Sequence, residues 1–339
     1  MRNTERIVLA LSLLAGTLPV LAQTAWKVEK TMHIGGTGGF DYITVDSASH
    51  RLFVPRSTHT QVIDADSGKL LGDIPGQKTS HGVAFVPEAN RGFITDGGGD
   101  GAILVFDLKT YAVLGKLAAQ PDADGIIYDR ATGLVLAVSG DKGVLMTFKP
   151  TIDPTSGKID ATIDLGGAPE FLATDGNGKA YINLQDKNEV AVVDLKARKV
   201  VARWPVAPGG APVGMSIDGK GKHLFIGCRK PAKMIVLSTE TGKVVADLPI
   251  GEGVDATKAY GGQAFASARD GSLTVVGEVS GKFVVAQSLK TAYGAKTMDV
   301  DPATHRIYLP TAEFEQPAAG TSGRPKAKPD SFEIIVVSR

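Results

Sequence analysis

The chain has 339 residues, 43% hydrophobic and 22% charged, with a formal net charge of +1 and a single cysteine, Cys228. This composition excludes a disordered chain and gives no cationic surplus of the kind nucleic-acid binding draws on. One thiol excludes an internal disulfide, a thiolate zinc cluster and a CxxCH haem attachment, and points to Cys228 as a small buried apolar side chain.

The first element is MRNTER, with Arg2 and Arg6, followed by IVLALSLLAGTLPVLA. Gly16 and Pro19 interrupt the apolar run, which ends at Val20-Leu21-Ala22 before Gln23. A basic start, an apolar stretch and small residues at its end make the pattern of a secretory signal peptide. The run falls short of the ~20 apolar residues of a membrane-spanning helix. Cleavage after Ala22 is therefore expected, giving a periplasmic or secreted protein with no integral membrane segment. Without residues 1–22 the chain carries 35 cationic and 35 acidic residues, so nucleic acid is not an expected partner.

WKVEKTMHIGG (26–36) comes next, with Val28, Met32 and Ile34 on one alternating face, the period of a strand. GGTGG (35–39) has no helix after it and reads as a turn, not a phosphate cradle. From there the chain repeats. ITVDSASHRLFVP (43–55) and MDVDPATHRIYLP (298–310) share six of thirteen residues at a distance of 255. VAFVPEANRGFIT, IIYDRATGLVLAV, LATDGNGKAYINL and MSIDGKGKHLFIG have the same strand–turn–strand form, and TKAYGGQAFASA is a copy with a shortened turn. A second motif follows in five of the units: VIDADSGKLLG (62–72), VFDLKTYAVLG (105–115), VVDLKARKVVA (192–202), VLSTETGKVVA (236–246) and VGEVSGKFVVA (276–286) read as β-hairpins. VLMTFKPTIDPTSGKIDATIDL is the same hairpin with a longer turn.

Four short strands in a unit of about 43 residues, repeated, are the mark of a β-propeller. The expected fold is all-β: a seven-bladed propeller of four-stranded antiparallel blades, forming one domain over residues 23–339. The last unit ends in SFEIIVVSR with three strands, and residues 26–36 are expected to pair beside Ile334–Val337 as its fourth, which removes an open sheet edge. Residues 313–330 interrupt that unit with a Pro/Gly-rich insertion carrying Arg324, Lys326 and Lys328, either an arm over the channel or a tolerated surface loop.

No WD dipeptide marks the units. YITVD…LFVP…VIDADSGKLLG and YINLQDKNEVAVVDLKARKVVA resemble the YVTN-repeat, YncE-like propellers of bacterial exported proteins, over nearly all of residues 26–339. The resemblance implies a seven-bladed periplasmic or secreted propeller and implies no agreed reaction.

Aligning the innermost strands selects the residue just before each: Asp41, His81, Asp124, Glu170, Val213, Asp255 and Lys296, at intervals of 40 to 46 residues. Six of the seven are ionisable and should meet at one mouth of the central channel. Close carboxylates cannot all ionise freely. A divalent metal ion held by Asp41, His81, Asp124, Glu170 and Asp255 would relieve the repulsion; Lys296 could balance part of the charge instead. The six ionisable residues form the expected ligand-binding set. The functional reading is a binding or interaction scaffold for a small ligand or a cell-envelope protein, expected as a monomer. The alternative is a metal-assisted hydrolase or lyase acting at the same mouth. His50, His223 and His305 fall in matched turns at the opposite face, and Trp26 and Trp204 read as packing residues of outer strands.

Overall fold

The computed structural model describes residues 25–315 and 325–339; the expected signal peptide lies outside them. β1 (Lys27–His33) leads into a run of antiparallel meanders. The first comprises β2 (Thr44–Asp46), β3 (Arg51–Pro55), β4 (Ser57–Asp64) and the 17-residue β5 (Leu70–Val86). β5 pairs with β4 over its first half and with β6 (Arg91–Asp96) over its second, so it links the first meander to the next. The second meander continues through β7 (Ala102–Asp107) and β8 (Val113–Ala118). Three four-stranded sheets follow: β9 (Ala123–Asp129), β10 (Leu134–Ser139), β11 (Val144–Phe148), β12 (Ala161–Asp164); β13 (Pro169–Thr174), β14 (Lys179–Leu184), β15 (Glu189–Asp194), β16 (Lys199–Pro205); and β17 (Pro212–Ile217), β18 (His223–Arg229), β19 (Ala232–Ser238), β20 (Val244–Pro249). Then come β21 (Val254–Tyr260), β22 (Gln263–Ala268), β23 (Ser272–Val279) and β24 (Lys282–Lys290). The last sheet joins β25 (Asp299–Asp301), β26 (Arg306–Thr311) and β27 (Glu333–Ser338) to β1.

Turn chemistry sets these meanders. In the hairpin after β4 the Asp64 carboxylate accepts the Ser67 backbone N–H at 2.8 Å, and Asp107 does the same for Thr110 after β7. Such side-chain caps make Asp a turn residue. The shortened turn between β21 and β22 places Gly261 and Gly262 at φ 58° and 77°, a two-residue reversal with both residues left-handed.

First strands of successive meanders adjoin in order: β2 meets β5, β5 meets β9, and so on to β21, β25 and back to β2. The core lies between sheets. Phe93, Ile103 and Val105 of one face Val135, Met146 and Phe148 of the next. Tyr181 and Val190 face Ile226 and Ile235 in the same way, and Ile43 and Val54 face Ile334 and Val336. Each such side chain contributes about 1.5–3 kcal/mol on burial. No single meander could bury both its faces, so the sheets stack as a propeller. Outer strands alternate, as in β16, where Val201 stays 47% exposed.

β1 pairs with β27 at the register Lys27↔Ser338 to His33↔Glu333, beside Ile334–Val337 as the sequence suggests. Met32 is buried, but a bulge between Val28 and Lys30 turns Val28 out to 40% exposure, so the three residues of the apolar face are not equivalent. The GGTGG turn wraps Arg56, a residue the sequence did not single out. The Arg56 guanidinium, 1% exposed, donates to the carbonyls of Gly39 (3.0 Å), Gly35 (3.2 Å) and Thr37 (3.2 Å), and to Gln61 Oε1 (2.5 Å). It also lies 3.8 Å from the ring centroid of Phe332, so one cation ties the leading segment to the residue that enters β27. Burial lowers its pKa to about 10. Trp26 stacks edge-on against Phe265 at 5.1 Å and is buried, and Trp204 lies over Tyr181 at 5.6 Å, both as packing residues. Cys228 is a free, buried thiol pushed up to about 12 by burial. Among the described residues no helix is long and apolar enough to cross a membrane.

Candidate functional site: the charged mouth of the channel

The residues aligned from sequence sit where first strands begin. Asp41 precedes β2 and Lys296 precedes β25; His81, Asp124, Glu170, Val213 and Asp255 lie within β5, β9, β13, β17 and β21. Backbone clasps fix three of these positions. Thr95 Oγ1, at the end of β6, donates to the Asp124 carbonyl at 2.6 Å. Asn183 Nδ2 in β14 donates to the Val213 carbonyl at 2.8 Å, and Ser267 Oγ in β22 to the Lys296 carbonyl at 2.7 Å. In each case the second strand of one sheet holds the start of the next sheet.

His81 Nδ1 lies 2.8 Å from Asp41 Oδ2 and 3.7 Å from Asp124 Oδ1. Lys296 Nζ lies 3.6 Å from Asp41 Oδ1 and pairs with Asp255, whose other oxygen pairs with Arg229. The Arg229 Nε donates to the Val254 carbonyl at 3.1 Å. The result is a chain of alternating charge: Asp124, His81, Asp41, Lys296, Asp255, Arg229. Glu170 stands apart from it and accepts a 2.6 Å hydrogen bond from Gln185 Nε2. Val213 is buried and apolar; Arg229, at the end of β18 in the same sheet, brings the charge to this side of the mouth.

The electrostatics follow from burial and pairing. Burial pushes the His81 imidazole down, but its bond to Asp41 and the charges of Asp124 and Asp41 outweigh this and raise it to about 9. Burial pushes the Asp41 carboxyl up, and Lys296 and His81 more than reverse that, holding it below the usual carboxylate range. Burial raises Asp124 well above that range, against the attraction of His81, and the carboxylates of Asp41 and Glu170 add to the rise. Glu170 is raised by burial too, opposed by Arg229. Lys296 is lowered by burial but raised on balance by Asp255 and Asp41. The chain thus stores its charge as paired ions, with Asp124 pushed toward the neutral acid. Among the described residues Asp124 Oδ1 is one of four buried side-chain oxygens without a hydrogen-bond partner, and the one of them that belongs to this charged network.

Of the five residues expected to share a metal, three come together: donor atoms of Asp41, His81 and Asp124 lie within 4.8 Å of one another. Asp255 is taken up by Lys296 and Arg229, and Glu170 by Gln185. Next to the ring, a cavity of about 450 Å³ is lined by Phe40, Asp41, Arg269, Lys296, Phe314 and Lys326. The described ends of the insertion border it: Phe314 bridges to Ala327, and its ring meets Tyr293 at 5.4 Å. Arg324 lies outside the described residues. Of the three turn histidines, His223 bonds Asp218 at 2.9 Å, His305 meets the Tyr260 hydroxyl and His50 lies 3.5 Å from Asp66, contacts that hold turns.

No protein-family profile matches the chain. It is 22% identical over 192 residues to the uncharacterized protein YncE of Salmonella typhi and of Salmonella typhimurium, covering 54% of this chain and 53% of each relative. It is also 22% identical over 172 residues to the U3 small nucleolar RNA-associated protein 18 homolog of Arabidopsis thaliana, covering 49% of this chain and 31% of that protein. The chain thus spans about half the length, or less, of the curated relatives it matches. Among solved structures, a chain of the Kuenenia stuttgartiensis hydrazine synthase superposes with a TM-score of 0.68 at 13% identity, over 87% of this chain and 96% of that one. At that identity the likeness concerns fold alone. The chain is a β-propeller that is YncE-like in sequence over about half its length.

Proposed function

We propose that this chain is an exported binding module: a closed, seven-bladed propeller, one domain over residues 23–339, whose charged mouth receives a small polar ligand or a polar segment of a cell-envelope protein. The observation that carries this reading is the convergence of Asp41, His81, Asp124, Asp255 and Lys296, from five meanders, on one alternating-charge network beside a 450 Å³ cavity. Concave sites of this size with a few converging polar groups are the usual form of small-ligand sites. The seven-blade count is supported by seven meanders in sequence and by the cyclic order of first strands; closure is supported by the pairing of β1 with β27. Periplasmic or secreted location is supported by residues 1–22, and a monomer is the expected state.

A thermal-shift screen of the mature protein against amino acids, sugars, polyols and small carboxylates tests the mouth. Ligands that raise Tm for the wild type should lose their effect in Arg269→Ala and Lys296→Met. Identical shifts in wild type and both variants would place binding elsewhere and end this reading. Fractionation of cells making the full chain tests export, with retention in the cytoplasm as the contrary result.

Asp124 Oδ1, which has no hydrogen bond, favours a second reading, in which Asp41, His81 and Asp124 hold one divalent cation. Mn²⁺ or Zn²⁺ should then stabilise the wild type and not Asp124→Asn; equal response in the two removes it.

A further inference from the structure

The channel has a second end, and nothing in the mouth explains it. On the far side of the mouth the Tyr42 and Phe171 rings meet at 4.9 Å between centroids, and a cavity of about 450 Å³ follows the first strands away from the charged network. Its walls include Val45, Val83, Phe85, Ile126 and Met298. Several polar side chains along it are engaged with protein partners. Thr44 Oγ1 donates to the Val83 carbonyl at 3.2 Å and Thr257 Oγ1 to the Phe225 carbonyl at 2.8 Å. Lys258 pairs with Asp299 at 2.9 Å, Asp46 with Arg51 at 2.6 Å, and the Tyr128 hydroxyl donates to Glu88 at 2.5 Å. Asp255, which reaches the inner end of the cavity, is held by Lys296 and Arg229. A ligand lying in this space would find little to hydrogen-bond and much apolar surface to cover.

The rim differs. Arg130, just beyond β9, lines the opening and is exposed. Among the described residues its guanidinium has no hydrogen bond or close ion pair, and Glu88 acts on it only at longer range. An apolar well with one uncommitted cation at its lip selects by two criteria at once: burial favours an apolar body, and the guanidinium favours an anionic head left near water.

We infer that this end of the channel is a second binding site, distinct from the mouth, for an amphipathic anion: a small molecule with an apolar chain or ring system and one carboxylate or sulfonate. The body lies along Val83, Phe85 and Ile126, and the head meets Arg130. The size of the cavity falls in the range of small-molecule sites and suits one such molecule.

The probe is 8-anilinonaphthalene-1-sulfonate, titrated into the mature protein under native conditions, with decanoate as competitor. The wild type should enhance its fluorescence at one saturable site, and decanoate should displace it. Arg130→Glu, at an exposed position, should weaken both anions roughly fivefold or more while leaving the neutral probe N-phenyl-1-naphthylamine unaffected. Thr44→Trp, which fills the cavity, should abolish binding of all three. Arg269→Ala, at the mouth, should change none of them, which separates this site from the one proposed above. Failure of decanoate to displace the probe from the wild type would overturn the inference, as would wild-type affinity for both anions in Arg130→Glu. That variant keeps the test decisive if Thr44→Trp does not fold.

Discussion

The two ends of the channel are built on the same first strands and differ completely in chemistry. At the mouth, Asp124, His81, Asp41, Lys296, Asp255 and Arg229 engage one another in series. At the other end the walls are largely apolar, and among the described residues Arg130 is the cation there without a close partner, exposed to water. The difference teaches that charge in a propeller channel is a matter of position along the strand. Where strands start, second-strand residues such as Thr95, Asn183 and Ser267 hold the backbone and leave side chains free to pair. A few residues further on, the strands converge on their own apolar side chains.

Removing one member of the network should expose this contrast most sharply. Lys296→Met strands Asp41 and Asp255 with one cation each, and Asp255 is 4% exposed. A loss of about 3 kcal/mol is expected in chemical denaturation, because removing one of the cations that compensate a buried carboxylate is costly. Pairing it with Asp255→Asn should restore part of the loss, and an unchanged stability in Lys296→Met alone would mean the network is not coupled as described. Titrating His81 should have a smaller effect. Its folded pKa is about 9, above the unfolded value of 6.5, so its contribution is complete below pH 6.5 and is lost as pH rises through 9. Stability should fall by on the order of 2 kcal/mol across that window, and His81→Gln should flatten the profile. Arg130→Ala should do least: at the far rim it should shift stability by less than about 0.5 kcal/mol. A larger change there would mean that Arg130 has a structural partner and that the two ends are not so different.

The meanders could be read from sequence because their period is carried by local signals, β-branched runs and Asp- or Gly-bearing turns that need no tertiary context. The same register found Asp41, His81, Asp124, Asp255 and Lys296. It could not find Arg229 or Gln185, which reach the mouth from the ends of second strands, because that register picks out only the positions where first strands begin. Nor could it tell which carboxylates meet: Glu170 falls outside the network while Asp124 falls inside, a distinction set by sheet twist and stacking. Arg56 was hidden for a related reason. A lone arginine between two strands carries no periodic signal, and its role exists only once the GGTGG turn has folded over it. The exposure of Val28 rests on a bulge, which alternation alone does not foresee.

The sheet that unites β1 with β27 also dictates a schedule. During synthesis β1 emerges about 300 residues before its partner, so it must wait, unpaired, while every other meander is made. Its sequence suits the wait: Lys27, Glu29 and Lys30 give it a charged, soluble face, and only Met32 is buried deeply. A nascent chain halted before residue 333 would thus hold the intervening sheets with β1 still lacking β27.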